Sequence, residues 1–260
     1  SAGSTWNITG GGGGGNLGGA LALVFSNVEN LVGSSTAADT FVFANGAAFG
    51  GTIDGGGSGV VVDTLDYSAV TGVVSVNLAA GTATGTTGIS HIRRVVGGSA
   101  NDVLTGDTNA NTIEGGAGDD TISGGGGNDT LVGGEGADTF KFYNAWGTGS
   151  ISDLGTSGVD ILDFSAVTAN VTFTVHAGST VSVIDGVNTL GTVTGADKLL
   201  GGTGNNRFVF DSGAVFTGTV DGGFAGLNTL DYSAYLTPVT VDLAAGTATG
   251  TSGVSNIRGV

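Results

Sequence analysis

Apolar residues in this chain recur at every second position, in short bursts. Phe41-Val42-Phe43, Phe140-Lys141-Phe142, Phe208-Val209-Phe210 and Val76-Asn77-Leu78 each alternate an apolar side chain with a neighbour facing the other way. Period-two alternation over so few residues reads as half-buried β-strands. Between the bursts lie Gly-x-Gly-x-Asp stretches, which read as turns. No window supports an amphipathic helix longer than a turn or two. Asn16 to Asn27 is the best of poor candidates, and the glycine run Gly10 to Gly15 reads as a flexible loop.

Two repeats organise the strands. The shorter has nine residues: GGSANDVLT (97–105), GDTNANTIE (106–114), GGAGDDTIS (115–123), GGGGNDTLV (124–132) and GGEGADTFK (133–141). Its sixth position holds Asp102, Asn111, Asp120, Asp129 and Asp138, and its eighth Leu104, Ile113, Ile122, Leu131 and Phe140. The longer repeat, residues 62–95, recurs as 227–260 and more weakly as 159–175. The segments 29–33, 93–97 and 197–201 are equivalent hand-overs from a long repeat to a glycine-rich turn. Three stretches of one continuous solenoid follow: long repeat over 1–96, nonapeptide roll over 97–142 and long repeats over 143–260. Both ends of the sequence fall inside repeats, which suggests a segment of a longer array.

Composition sharpens the picture. Among 260 residues there are 54 glycines and one proline, against an average glycine usage of about 7%. The formal net charge is −16, from 22 acidic and 6 basic residues, and the acids are overwhelmingly Asp. Asp among glycines points to turns or to oxygen ligands for a hard cation. The same charge argues against nucleic acid and against anionic membrane surfaces, since no basic patch offsets phosphate. There is no Cys, so disulfides and thiolate metal sites are excluded. The longest apolar run, Ala20 to Phe25, is far too short to span a bilayer. No signal peptide is visible.

Nine residues hold a six-residue turn and a three-residue strand. With two units per coil, each unit lies over the next but one, eighteen residues on, at a strand spacing of about 4.8 Å. Asp102, Asp120 and Asp138 then share one column, and Asn111 and Asp129 share another. Carboxylates so close repel unless a cation lies between them. Calcium takes about six to eight oxygens, which carboxylates from two turns and several carbonyls supply. The position-eight aliphatics face inward as a thin core.

The stretch GGAGDDTISGGGGNDTLVGGEGADTF resembles the repeat-in-toxin, or haemolysin-type, calcium-binding family, with its GGxGxDxUx repeat. The strict resemblance covers 97–142, and 150–167 is similar to the segment that often follows such repeats. The resemblance implies a parallel β-roll, calcium-dependent folding and export from a bacterium. Carried over by position, it implies side-chain ligands at Asp102, Asp120, Asp129 and Asp138. Implied carbonyl ligands are those of Gly115, Ala117, Asp119, Gly124, Gly126 and Asn128. Asn111 replaces an acid, and Asp107, Ala100 and Asn109 replace glycines, so the first two turns depart from the pattern. Further calcium is conceivable at Asp160, Asp163, Asp66 or Asp231, whereas Asp54, Asp153, Asp211 and Asp221 read as turn residues.

Other chemistries find little support. His91 and His176 lack an HExxH or any paired ligand and read as surface or rim residues. Ser, His and Asp all occur, yet there is no GxSxG elbow. GxGxxG matches arise by chance at this glycine content, and none opens a helix. Tyr67 and Tyr232 read as core, and Tyr235 as more exposed.

The expectation is an all-β, parallel β-roll/β-helix solenoid. Its function would be that of a non-catalytic, calcium-stabilised segment of a secreted or surface-exposed bacterial adhesin, matrix protein or filament. Its partners would be calcium and neighbouring repeats or copies stacked end to end. Two alternatives stand: an accessory module of a secreted protease or polysaccharide-modifying enzyme, and a module that binds an extracellular glycan.

Overall fold

In a computed structural model, the structure describes residues 3–10, 15–18, 23–57, 59–152 and 157–260. Among them there is no helix, and so none long and apolar enough to cross a membrane. The chain coils between a fourteen-stranded and a nine-stranded sheet, and a smaller three-stranded sheet lies near the beginning.

The nonapeptide block sets the coil. Its strands go alternately to the two large sheets. Val103–Thr105, Thr121–Ser123 and Thr139–Lys141 stack in parallel, with Val103 beside Thr121 and Thr121 beside Thr139. In the other sheet Arg94–Val96, Thr112–Ala117 and Asn128–Glu135 do the same, with Thr112 beside Thr130. Each unit therefore lies over the next but one, as the spacing predicts. The register also carries the solenoid across the block's boundaries. Arg94–Val96 pairs backwards with Thr64–Asp66, and Asn128–Glu135 pairs onwards with Thr148–Ser152.

Position eight is the core. Leu104, Ile113, Ile122, Leu131 and Phe140 are all buried, and each such side chain contributes roughly 1.5–3 kcal/mol by leaving water. In the long repeats, aromatic rings fill the same interior and stack from coil to coil. Phe43 lies on Tyr67 at 4.5 Å, Phe142 on Phe164 at 4.3 Å and Phe173 on Phe208 at 4.7 Å between ring centroids. These separations follow from the strand spacing of about 4.8 Å, which holds rings on neighbouring strands face to face. Tyr67 is buried and its hydroxyl donates to Thr84 O at 2.8 Å. Tyr232 and Tyr235 are half-buried, so Tyr235 is less exposed than its position suggests.

The solenoid is not parallel throughout. The long repeats hold more residues than a coil needs, and the excess leaves as antiparallel hairpins. Ser75–Asn77 folds back on Thr82–Ala83, and Val241–Asp242 on Thr247–Ala248. Both turn at Ala-Ala-Gly, where Gly81 and Gly246 take φ of 68° and 70°. A larger excursion runs through Thr172–Val175, Val181–Ile184 and Thr189–Thr194. The segment Asn16 to Asn27, the best helix candidate, instead supplies Gly15–Gly18 and Leu23–Phe25, paired antiparallel. Most of the glycine run 10–15 lies outside the described residues.

Candidate metal centre

Position six points inward, beside the core. Asp102, Asp120, Asp129 and Asp138 are at most 5% exposed, and Asn111 is 3% exposed. Burial demands partners, and the solenoid supplies one to each. The backbone N–H of Asp102 donates to Asp120 Oδ1 at 2.7 Å, and that of Asp120 to Asp138 Oδ1 at 2.8 Å. In the other column Asn111 N–H donates to Asp129 Oδ1 at 2.9 Å. The two columns are the ones that the eighteen-residue register places together.

The second carboxylate oxygen separates the turns into two kinds. In the first unit it is met from within the turn, where Gly98 N–H donates to Asp102 Oδ2 at 2.6 Å; the second unit has no carboxylate, and its one amide oxygen, Asn111 Oδ1, accepts from Asp107 N–H at 2.8 Å. The last three units have glycine at positions two and four, and all six adopt positive φ, Gly116 at 113° and Gly118 at 107° among them. Residues with a Cβ rarely enter this region. Ala100, Asp107 and Asn109 therefore exclude the first two units from that conformation. In the third unit the result is an orphan: buried Asp120 Oδ2 has no hydrogen-bond partner.

What surrounds the orphan fits a hard cation. A methyl group added at Gly115 would lie 2.3 Å from Asp120 Oδ2 and 2.6 Å from Gly133 O. Carboxylate and carbonyl thus face one space that only glycine leaves open. Added at Gly124, a methyl would lie 2.3 Å from Asp129 Oδ2, and at Gly97 2.0 Å from Gly115 O. No three His, Cys, Asp or Glu side chains converge among the described residues, so carbonyls must complete any site. Of the proposed carbonyl donors, Gly115 and Gly124 border these cradles. Ala117 runs in a strand beside Glu135, and Gly126 N–H donates to Asp107 O. The side chains of Asp119 and Asn128 face solvent. Asp119 Oδ1 accepts from Ala137 N–H at 2.9 Å, pinning the next turn.

Burial pushes the carboxyls of Asp120 and Asp129 up to about 7. For Asp120 the Asp102 N–H pulls the other way, while the charges of Asp138 and Asp102 add to the rise. Because the folded value lies above the ordinary 3.8, these groups stabilise the metal-free fold below about pH 4 and lose that contribution as pH rises through about 7. Protons and calcium compete for the same oxygens. In chelator the melting temperature is expected to be higher at pH 5 than at pH 8, and in saturating calcium the order should reverse. Calorimetry at both pH values checks this, and a chelated protein more stable at pH 8 would contradict it.

The position-six ladder extends far beyond the nonapeptides, to Asp160, which the sequence offers as a further calcium candidate, and to Asp197 and Asp39, which it does not single out. Asp138 N–H donates to Asp160 Oδ1 at 2.7 Å, Asp160 N–H to Asp197 Oδ2 at 3.2 Å and Asp39 N–H to Asp63 Oδ1 at 2.7 Å. Towards the C-terminal end Asn takes over. Asn206 Nδ2 donates to Gly202 O at 2.9 Å, Gly204 O at 3.1 Å and Gly222 O at 3.0 Å, and to Asn228 Oδ1 at 3.0 Å. The amide satisfies, from inside, the carbonyls that elsewhere face a cation site. GGTGNNRFV (201–209) is in fact a sixth nonapeptide with Asn206 at position six and Phe208 at position eight. The Asn at position six is what hid it.

Asp163, Asp66 and Asp231 lie on the other face of their strands and cap turns, accepting from Ser165, Ser68 and Ser233 N–H. Asp54 accepts from Gly56 N–H, and Asp221 from Gly223 N–H. Asp153 lies outside the described residues. Exposed His91 meets Asp54 at 2.7 Å. His176 stands between Asp211, 2.7 Å from Nδ1, and Ser182 Oγ, 2.8 Å from Nε2. That is the order of a nucleophile relay, but the His and Asp side chains are 40% and 47% exposed, in water that weakens such a chain.

The family model of the RTX calcium-binding nonapeptide repeat matches in four copies, within residues 94–113, 105–140 and 185–215. The chain thus carries repeats of this family, which form a parallel β-roll and bind calcium. Proteins with such repeats are typically secreted. The third matched stretch contains Asp197 and Asn206. No curated protein matches the chain.

Proposed function

We propose that this chain is a non-catalytic, calcium-stiffened solenoid segment of an extracellular adhesin, matrix protein or filament. The observation that carries the reading is the orphan oxygen of Asp120, buried within a column of acids that runs through the core. A column of that kind favours the folded state only when its charge is compensated, so metal-binding free energy becomes folding free energy. Calcium outside a cell would then set the rigidity of the segment. Proposed ligands are Asp102, Asp120, Asp129 and Asp138, with the carbonyls of Gly115, Ala117, Asp119, Gly124, Gly126 and Asn128.

The parallel stack supports a structural role, because a solenoid's terminal strands offer unpaired edges to a neighbouring repeat or a second copy. Glycan binding gains less support. Trp146 and Tyr67 are buried in the core, and the exposed aromatics Tyr143 and Phe224 belong to separate turns. The Ser182–His176–Asp211 relay gives a hydrolytic reading its one specific observation, and ester turnover lost in Ser182→Ala would favour it over the structural role. Small-angle scattering tests the main proposal. A stiff rod in calcium and an expanded coil in chelator are expected; one profile in both conditions would overturn it.

A further inference from the structure

We propose a second site for a hard divalent cation of calcium's size outside the matched repeats, formed by Asp63 and Asp39 with the carbonyls of Gly55 and His91. The proposal rests on the calcium reading of the nonapeptides but concerns residues that share no nonapeptide spacing. Asp39 and Asp63 are 1% and 0% exposed. One oxygen of Asp63 accepts from Asp39 N–H at 2.7 Å, and the other, Oδ2, has no hydrogen-bond partner.

The surroundings of that oxygen repeat the arrangement at Asp120. A methyl group at Gly55 would lie 2.4 Å from His91 O and 2.7 Å from Asp63 Oδ2. One at Gly33, in the coil before, would lie 2.4 Å from Gly55 O and 2.6 Å from Asp39 Oδ2. Carbonyls from two successive coils therefore stand beside carboxylates from two coils, as Gly115 and Gly133 stand beside Asp102 and Asp120. His91 adopts φ of 55°, which a non-glycine residue seldom does. Carboxylate and carbonyl oxygens are the donors a hard cation takes, with water completing its shell. Burial, and then the neighbouring charges of Asp39 and Asp54, also raise the Asp63 carboxyl above its usual range, against the pull of the Asp39 N–H.

Asn206 satisfies its turn carbonyls through its amide, whereas buried Asn111 Nδ2 finds no partner; Asp63→Asn keeps the shape of the side chain and the oxygen that accepts from Asp39 N–H. Isothermal titration of the full chain with calcium chloride should show Asp63→Asn binding one ion fewer than the wild type. Asp221→Asn, which removes a carboxylate that caps Gly223 in the C-terminal coils, should leave the count unchanged. Asp39→Asn should weaken the same site, and it repeats the test should Asp63→Asn not fold. In chelator, Asp63→Asn should keep at least the wild-type circular dichroism. Wild-type stoichiometry in Asp63→Asn, with an ion lost from Asp120→Asn, overturns this site alone. A wild-type chain that takes up no calcium would overturn the nonapeptide reading as well.

Discussion

Asp120→Ala is expected to weaken calcium binding about 100- to 4,000-fold, the largest effect of any single side chain. Asp120 occupies the middle of its column. Its N–H donates to Asp138 Oδ1, and its own Oδ1 accepts from Asp102 N–H. Alanine removes the orphan Oδ2 and leaves the buried Asp102 N–H without its acceptor. Breaking one partner of a buried charged set costs roughly 3–5 kcal/mol, and each 1.4 kcal/mol is about tenfold in affinity. Asp120→Asn separates the two contributions. Its amide keeps an acceptor for Asp102 N–H and offers a donor to the turn carbonyls, as Asn206 does. It should therefore lose calcium yet hold more structure in chelator than alanine does. Titration calorimetry beside circular dichroism measures both, and wild-type affinity in Asp120→Ala would remove this carboxylate from the site.

Gly116→Ala should lower the melting temperature in calcium by about 2–12 °C. Gly116 has φ of 113°, and a methyl there would lie 2.3 Å from Gly98 O. The obstructing atom is backbone, held as the acceptor of Ala117 N–H at 3.1 Å, so it cannot swing aside. Such strain costs roughly 1–3 kcal/mol, and in a chain of this size each kcal/mol is about 2–4 °C. The displaced turn would also misplace the carbonyl of Gly115. Gly72→Ala is the control, because it has open space and no positive φ. Equal melting temperatures for the two variants in differential scanning calorimetry would show that the turn tolerates a side chain.

Much of this fold is legible in the sequence because the code is local. Nine-residue spacing fixes the register, and the inward aliphatic and the acid two places before it fix which side faces the core. The Asp102–Asp120–Asp138 column follows from arithmetic alone. What was not legible depends on contacts between repeats of unequal length. Asp39 and Asp63 are 24 residues apart, and Asp160 and Asp197 are 37 apart, so no fixed period exposes them. The intervening residues leave as hairpins, which a reading based on parallel coils does not anticipate. Asn206 was hidden for a chemical reason: it holds the place of an acid with an amide. Nor does any pattern of residue types show that His176, Ser182 and Asp211 meet across neighbouring strands.

The central claim is that the acid column folds with calcium, whereas the asparagine column folds without it. Amide hydrogen exchange of the full chain at pH 8, in calcium and then in chelator, tests it most directly. The N–H groups of Asp102 and Asp120, which donate along the acid column, should be strongly protected in calcium and exchange freely in chelator. That of Asn206, donating to Asn228 Oδ1 at 3.0 Å, should keep a larger share of its protection. Equal protection of Asp102 and Asp120 in both conditions would contradict the account.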